Sequence, residues 1–148
     1  MIVPQQPLSA EIAGFTECDR VGLIGLWEAC GLTRPWNDPS NDIDRKLADL
    51  VGAFLIAKLH GAVIGSVMAG YDGHRGSINY LAVHPDYRGT GLGRRLMFEA
   101  EAMLLKLGCP KINLMVRRGN SGAADYYEKL GYRADDVIVL GKRLIPNV

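Results

Sequence analysis

The sequence has little of what marks an extracellular, membrane or nucleic-acid-binding protein. Only three cysteines occur in 148 residues, Cys18, Cys30 and Cys109. Their number is odd and none are in Cys-x-x-Cys spacing, so neither a disulfide framework nor a zinc site is expected, and no metal is assigned. Charge of one sign is also missing: 17 Lys and Arg stand against 16 Asp and Glu, a formal net charge of +1. Duplex binding depends on neutralising many phosphates with basic side chains, so nucleic acid is not an expected partner and any anion site must be local. No uncharged apolar run approaches the roughly 18 residues needed to span a bilayer, and residues 1–7 carry no basic n-region, so a soluble, cytoplasmic protein with no membrane partner is expected.

Repeats, low-complexity blocks and composition breaks are absent too, and the expected organisation is one domain over residues 1–148. The chain is 48% apolar and 22% charged, which excludes disorder. A chain of about 150 residues buries roughly 68–70% of its unfolded surface, enough for a core without crosslinks.

A first strand is expected over residues 11–15. Thr16 followed by Asp19 has the form of a capping box opening a helix, with Val21, Ile24 and Trp27 inward and Gly31 as its stop. The prolines at 35 and 39 exclude regular helix over residues 32–39. Ile43, Leu47 and Leu50 then mark a short amphipathic helix. Residues 54–59 and 62–69 read as strands joined by a tight turn at His60 and Gly61, and a second turn over 71–76 leads to a strand over 77–83.

Residues 84–95, His-Pro-Asp-Tyr-Arg-Gly-Thr-Gly-Leu-Gly-Arg-Arg, join that strand to a helix whose expected inner residues are Leu96, Ala100, Met103, Leu104 and Leu107. Gly89, Gly91 and Gly93 remove the Cβ atoms that would keep a ligand from the backbone, and they permit the φ values of an anion nest. A helix N-terminus adds about half a positive charge, so an anion there is stabilised by backbone alone. The spacing is neither that of a P-loop nor Gly-x-Gly-x-x-Gly, because Arg94 occupies the last position. Downstream, residues 112–116 read as a strand. Asn120 can cap a helix with Ala123, Ala124, Tyr127 and Leu130 inward, and residues 137–140 form a last expected strand. Strand, glycine loop, helix, strand is a βαβ crossover, so strands 77–83 and 112–116 should be parallel neighbours.

Two segments together resemble the GNAT superfamily of acyl-CoA-dependent N-acetyltransferases, over residues 11–140. Arg88-Gly89-Thr90-Gly91-Leu92-Gly93 fits the family's [QR]-x-x-G-x-[GA] loop, and residues 120–132 fit N-x-x-A-x-x-[FY]-Y-E-K-L-G-[FY]. Residues 32–38, 71–76 and 140–144 look like the YpeA-like bacterial branch. The resemblance implies an α/β fold with an α+β mixed sheet: an antiparallel meander followed by a βαβ crossover whose parallel central strands splay apart. It implies that Leu81, Ala82 and Val83 pair with pantetheine as an added strand would. Gly89, Thr90, Gly91, Gly93 and Arg94 would hold the pyrophosphate, Arg88 would supply a phosphate contact, and Asn120 would reach the pantetheine arm.

The activity so implied is acetyl transfer from acetyl-CoA to a primary amine of a small molecule or peptide by direct attack in a ternary complex, with CoA as product. The resemblance leaves a homodimer open. A backbone N–H near Val83 can polarise the thioester carbonyl. The leaving thiolate can be met by a tyrosine hydroxyl, and Tyr127 holds the family position for that catalytic role. No base is evident: where many relatives carry Glu on the fourth strand, this chain has Asn79, and Glu28, Asp72, His74 and His84 remain as candidates. Acceptor specificity is expected from Trp27, Arg34, Trp36, Asp38 and the 71–75 turn. The alternative is a non-catalytic acyl-CoA-binding sensor or regulatory module.

Overall fold

A computed structural model describes residues 9–146. Its elements run β1 (Glu11–Gly14), α1 (Arg20–Ala29), α2 (Pro39–Ala48), β2 (Ala53–Leu59), β3 (Ala62–Tyr71), β4 (Gly76–Val83), α3 (Leu92–Lys106), β5 (Ile112–Leu114) and α4 (Ser121–Lys129). The strands form one five-stranded sheet in the order β1-β2-β3-β4-β5. All neighbours are antiparallel except β4 and β5, which are parallel. This is the mixed α/β architecture that the meander and the crossover require.

Both faces of the sheet are covered. On one, α3 turns Leu92, Leu96, Met97, Ala100 and Leu104 onto Leu55, Ala57, Val67 and Ile78. On the other, Leu23, Leu26 and Trp27 of α1 and Ile43 of α2 meet Ile56, Met68 and Ala82. Residues 64–69 of β3 are buried without interruption, as a strand covered on both faces must be. Gly65 lies where α3 crosses the sheet, and a Cβ there would press on Leu92 and Leu96 of the helix and on Ala57 of β2. The β2–β3 turn places His60 and Gly61 at φ of 50° and 81°, the two left-handed residues that a type I′ hairpin needs.

Several expected inward residues face solvent. Val21 is 85% exposed, and α1 instead buries Leu23, Leu26 and Trp27. Of the expected stripe, Trp27 is fully buried and Ile24 packs partly against the same cluster, and only Val21 faces solvent, in the first turn of α1 after a separate 3₁₀ turn over Glu17–Asp19. Leu50 lies beyond the end of α2, which closes at Ala48, and is fully outward. Met103 and Leu107 flank the α3 stripe rather than occupying it, and Ala124 is exposed on α4. The strand expected over 137–140 does not form: Val137, Ile138, Val139 and Leu140 are all exposed, without a ladder partner among the described residues. No helix among the described residues is long and apolar enough to cross a membrane.

Candidate active site

The sheet opens where β4 outruns its parallel neighbour. Pairing extends from Gly76 opposite Ile112 to Ile78 opposite Leu114, and β4 then continues to Val83 without β5. A bulge lies in this free stretch: Ser66 pairs with Ala82 and Met68 with Asn79, so Tyr80 and Leu81 together face Val67. The bulge bends the strand and turns its free end away from the ladder. Tyr80 has φ of 51°, a conformation that costs a non-glycine residue about 1–3 kcal/mol and persists only where surroundings enforce it. Trp27 supplies that enforcement, stacking on the Tyr80 ring at 3.8 Å between centroids. The Trp27 indole N–H donates to Ser66 Oγ at 3.0 Å, and Ser66 Oγ donates to the Tyr80 carbonyl at 2.8 Å.

Past the bulge, the His84 N–H donates to the Ile64 carbonyl at 2.8 Å. In an antiparallel ladder, alternate residues turn their polar groups to opposite sides. Ala82, two residues before His84, therefore faces β3, and Val83 presents its N–H and carbonyl to the opening. The Val83 carbonyl accepts from Cys30 Sγ at 3.3 Å and from Arg88 Nε at 3.2 Å, both outside the sheet. Of the three residues expected to pair with pantetheine, Val83 has its backbone in the gap, Leu81 lies in the bulge, and Ala82 is committed to β3.

The glycine loop continues directly from this edge. Gly89 and Gly91 have φ of 78° and 83°, and a Cβ on either would point into open space. Their requirement is conformational. Gly93 differs: it lies within α3, and a Cβ there would collide with the Tyr126 hydroxyl. Gly91 caps α3 without a side chain, and the first helical bond runs from Arg95 N to the Gly91 carbonyl at 3.1 Å. The amides of Leu92, Gly93 and Arg94 precede that bond and point off the helix end. Thr90 Oγ1 donates to the Tyr87 carbonyl at 2.6 Å, which fixes the loop to the 3₁₀ turn before it. Beside the loop is a cavity of about 470 Å³ bordered by Gly91, Arg94, Arg95 and Lys129, with Glu99 and Glu101 also on its wall. Free amides, left-handed glycines and the cations of Arg94 and Lys129 suit a pyrophosphate with an attached phosphate, so the residues present fit acyl-CoA, while Arg95 donates to the Ala10 carbonyl at 2.9 Å.

On α4, Asn120 Oδ1 accepts from the Ala123 N–H at 3.1 Å, so its carbonyl oxygen is the helix cap. Tyr127 is half-buried, edge-on to Tyr126 at 5.5 Å and to Tyr132 at 5.9 Å. Burial, and secondarily the neighbouring Tyr126, push its hydroxyl up to about 12, which keeps it a neutral donor at pH 7. Tyr126 puts its hydroxyl over Gly93 at the loop, and burial raises its pKa against the pull of Arg94.

The opposite wall of the opening contains a cluster that the sequence did not reveal. Tyr80 Oη donates to Asp42 Oδ2 at 2.5 Å, Asn37 Nδ2 donates to the same oxygen and lies 3.2 Å from Tyr80 Oη, and Arg45 Nη1 pairs with Asp42 Oδ1 at 3.5 Å. Burial first, then Asp42, raises the Tyr80 pKa well above the ordinary phenol value. The four residues come from a loop, a helix and a strand, and only the Asp42–Arg45 pair, three residues apart on α2, is joined by local spacing.

The expected specificity residues are mostly occupied elsewhere. Trp27 is fully buried and serves Tyr80, Arg34 donates to the Gly31 and Thr33 carbonyls of its own loop, and Asp38 caps α2 by accepting from the Ser40 N–H. Among the base candidates, Asp72 accepts from the His74 and Arg75 N–H groups at 2.7 Å each, a turn contact that holds its carboxyl below the usual range. His84 Nδ1 accepts from the Asp86 N–H, and Glu28 and His74 are exposed.

Residues 21–132 match the Acetyltransferase (GNAT) family model. An acetyltransferase of Yersinia enterocolitica is 53% identical over 135 residues, covering 91% of this chain and 96% of that protein. Among solved structures, the PaiA N-acetyltransferase of Thermoplasma acidophilum in complex with coenzyme A is similar with a TM-score of 0.72 at 24% identity, covering 88% of this chain and 94% of that one. An aminoglycoside 6′-N-acetyltransferase of Acinetobacter haemolyticus is similar with a TM-score of 0.74 at 18% identity, over 91% of this chain and 99% of that one. With the family model and a relative at this identity agreeing with an opened β4 edge that feeds a glycine-capped helix, the chain belongs to the GNAT family of acetyltransferases.

Proposed function

We propose that the protein transfers acetyl from acetyl-CoA to a primary amine of a small molecule or peptide by direct attack, the chain acting as a single acetyltransferase domain. The observation that carries this reading is the continuity of the exposed Val83 backbone with the uncapped amides of α3. Such an edge can take an amide-bearing arm as an added strand while the helix end takes a pyrophosphate. The Thermoplasma relative bound to coenzyme A supports the same cofactor class.

Acetyl-CoA supplies an activated acetyl group. The Val83 N–H is the donor for the developing charge on the acetyl oxygen, an interaction that strengthens as the carbonyl carbon is attacked. Arg88 swings off the Val83 carbonyl to free that edge, and its guanidinium becomes a phosphate ligand. Tyr127 hands its proton to the departing sulfur as the C–N bond forms and the C–S bond breaks, and solvent restores it. The amine loses one proton to water, and alignment of the two substrates supplies much of the rate, up to about 7–11 kcal/mol in well-oriented systems.

Acetyl-CoA turnover against an amine panel, read by free-thiol release and by product mass, tests the reading. An amine-dependent thiol signal with an acetylated product is expected. CoA binding with no turnover of any amine would favour the sensor alternative.

A further inference from the structure

A second, shallow and wide-open depression of about 590 Å³ lies on the Asn37–Asp42–Tyr80 side of the opening and is bordered by Asn37, Arg45, Lys142, Arg143, Leu144 and Ile145. Asn37 joins it to the bulge, since the same side chain that borders the depression contacts the Tyr80 hydroxyl. Its border has three cations and no carboxylate. Asp42, the acid behind Arg45, is already engaged by Tyr80 and Asn37 through one oxygen and by Arg45 through the other. Among the described residues, neither Lys142 nor Arg143 has a carboxylate partner. Residues 142 and 143 therefore bring two charges without a carboxylate partner among the described residues to a wall that already holds Arg45.

We infer that this depression is the acceptor site and that the acceptor is an amine bearing an acidic group, carboxylate or phosphate, whose anion is held by Arg45, Lys142 and Arg143. The inference rests on the transferase reading and narrows its substrate class. Arginine suits planar or tetrahedral oxyanions because its N–H groups fork onto two oxygens, and lysine adds a point charge. A patch of one sign also repels acceptors of that sign. A polycationic amine, such as the substrate class in the name of the Acinetobacter relative, meets three like charges here. Leu144 and Ile145 leave apolar surface for the carbon skeleton between anion and amine.

Matched acceptors test this with acetyl-CoA saturating: glycine against glycinamide for carboxylate, phosphoethanolamine against ethanolamine for phosphate, and neamine as the polycation. The acidic member of at least one pair is expected to have a kcat/KM roughly tenfold or more above its neutral partner and above neamine. Whichever pair shows the gap identifies the acid. In the exposed double variant Lys142→Gln with Arg143→Gln, KM for that acceptor should rise about tenfold while the neutral partner is unaffected.

Calorimetry on the CoA-bound protein with N-acetylglycine, N-acetylglycinamide and N-acetylphosphoethanolamine reads the site without turnover. Preferential binding of an acidic product, lost in the double variant, supports the acidic site even where no amine is acetylated, an outcome that would instead remove the transferase reading. Equal or better use of neutral or polycationic amines, or acidic-product binding indifferent to the double variant, would overturn the inference.

Discussion

The two walls of the opening are built differently. The glycine-loop wall is local: the Val83 edge, Gly89, Gly91 and the first amides of α3 lie within a dozen residues and act through backbone. The opposite wall is assembled from distant side chains, with Trp27, Asn37, Asp42 and Tyr80 meeting around one strained bulge and the 141–145 segment bordering the same depression as Asn37 and Arg45. A backbone site needs only that glycine be permitted where φ is positive. A side-chain site needs the whole fold to bring its members together, so damage in its core should spread to stability, whereas damage in the loop should be confined to ligand binding.

The sharpest way to break this comparison is Gly91→Glu. The substitution places a carboxylate where the pyrophosphate is expected and forces an L-residue to φ of 83°, yet nothing lies within 4 Å of its Cβ. CoA binding should fall below calorimetric detection while the far-UV circular dichroism spectrum is retained.

Tyr127→Phe should come next in size. CoA affinity is expected to stay within a few-fold and kcat to fall by roughly 10²–10⁴, the range for a positioned proton donor. The loss should shrink with a thioester whose leaving thiol has a lower pKa. Stopped-assay rates with the two thioesters distinguish this from a packing role, for which the half-buried ring contacts with Tyr126 and Tyr132 would survive in Phe and leave kcat unchanged.

On the side-chain wall, Trp27→Ala should cost about 3–5 kcal/mol of stability in urea unfolding, because a fully buried indole is removed and the Tyr80 stack lost with it. The folded fraction should still bind CoA with near-parent affinity, and a parallel loss of CoA affinity would erase the distinction between the walls.

A smaller effect lies outside both walls and serves as a reference. Asp19 is buried, and although burial works to raise its pKa, donation from Thr16 and Lys58 prevails and holds it below the usual carboxylate value. A depressed folded pKa stabilises the protein above the unfolded value of about 3.9 and ceases to as pH falls through the folded value. Asp19→Asn should therefore cost about 1–3 kcal/mol at pH 7, and the gap should close as pH drops below about 4 in a melting series with the parent protein. CoA binding should be unaffected.

The same division accounts for what the sequence made legible. The glycine loop, the parallel pairing of β4 with β5 and the Asn120 cap follow from spacing within one segment, and each is present. Asp42 and Tyr80 are separated by the β2–β3 hairpin, and nothing in either local pattern signals their hydrogen bond. By sequence Trp27 suits both the inner stripe of α1 and a specificity role, and tertiary packing decides for the first because its N–H finds Ser66 across the sheet. The apolar run at 137–140 has the composition of a strand, but β-structure is decided by a partner edge, and the run stays exposed and without a ladder partner among the described residues.

The central claim, that the backbone wall holds acyl-CoA and the side-chain wall does not, is tested most directly by titrating acetyl-CoA into ¹⁵N-labelled protein and mapping amide shifts. The largest saturable shifts are expected at Val83, Gly89, Gly91, Leu92, Gly93 and Arg94, with Asn37, Asp42 and Arg45 nearly unmoved and NAD and ATP failing to reproduce the pattern. Shifts centred on Asn37 to Arg45 with a silent glycine loop would contradict it.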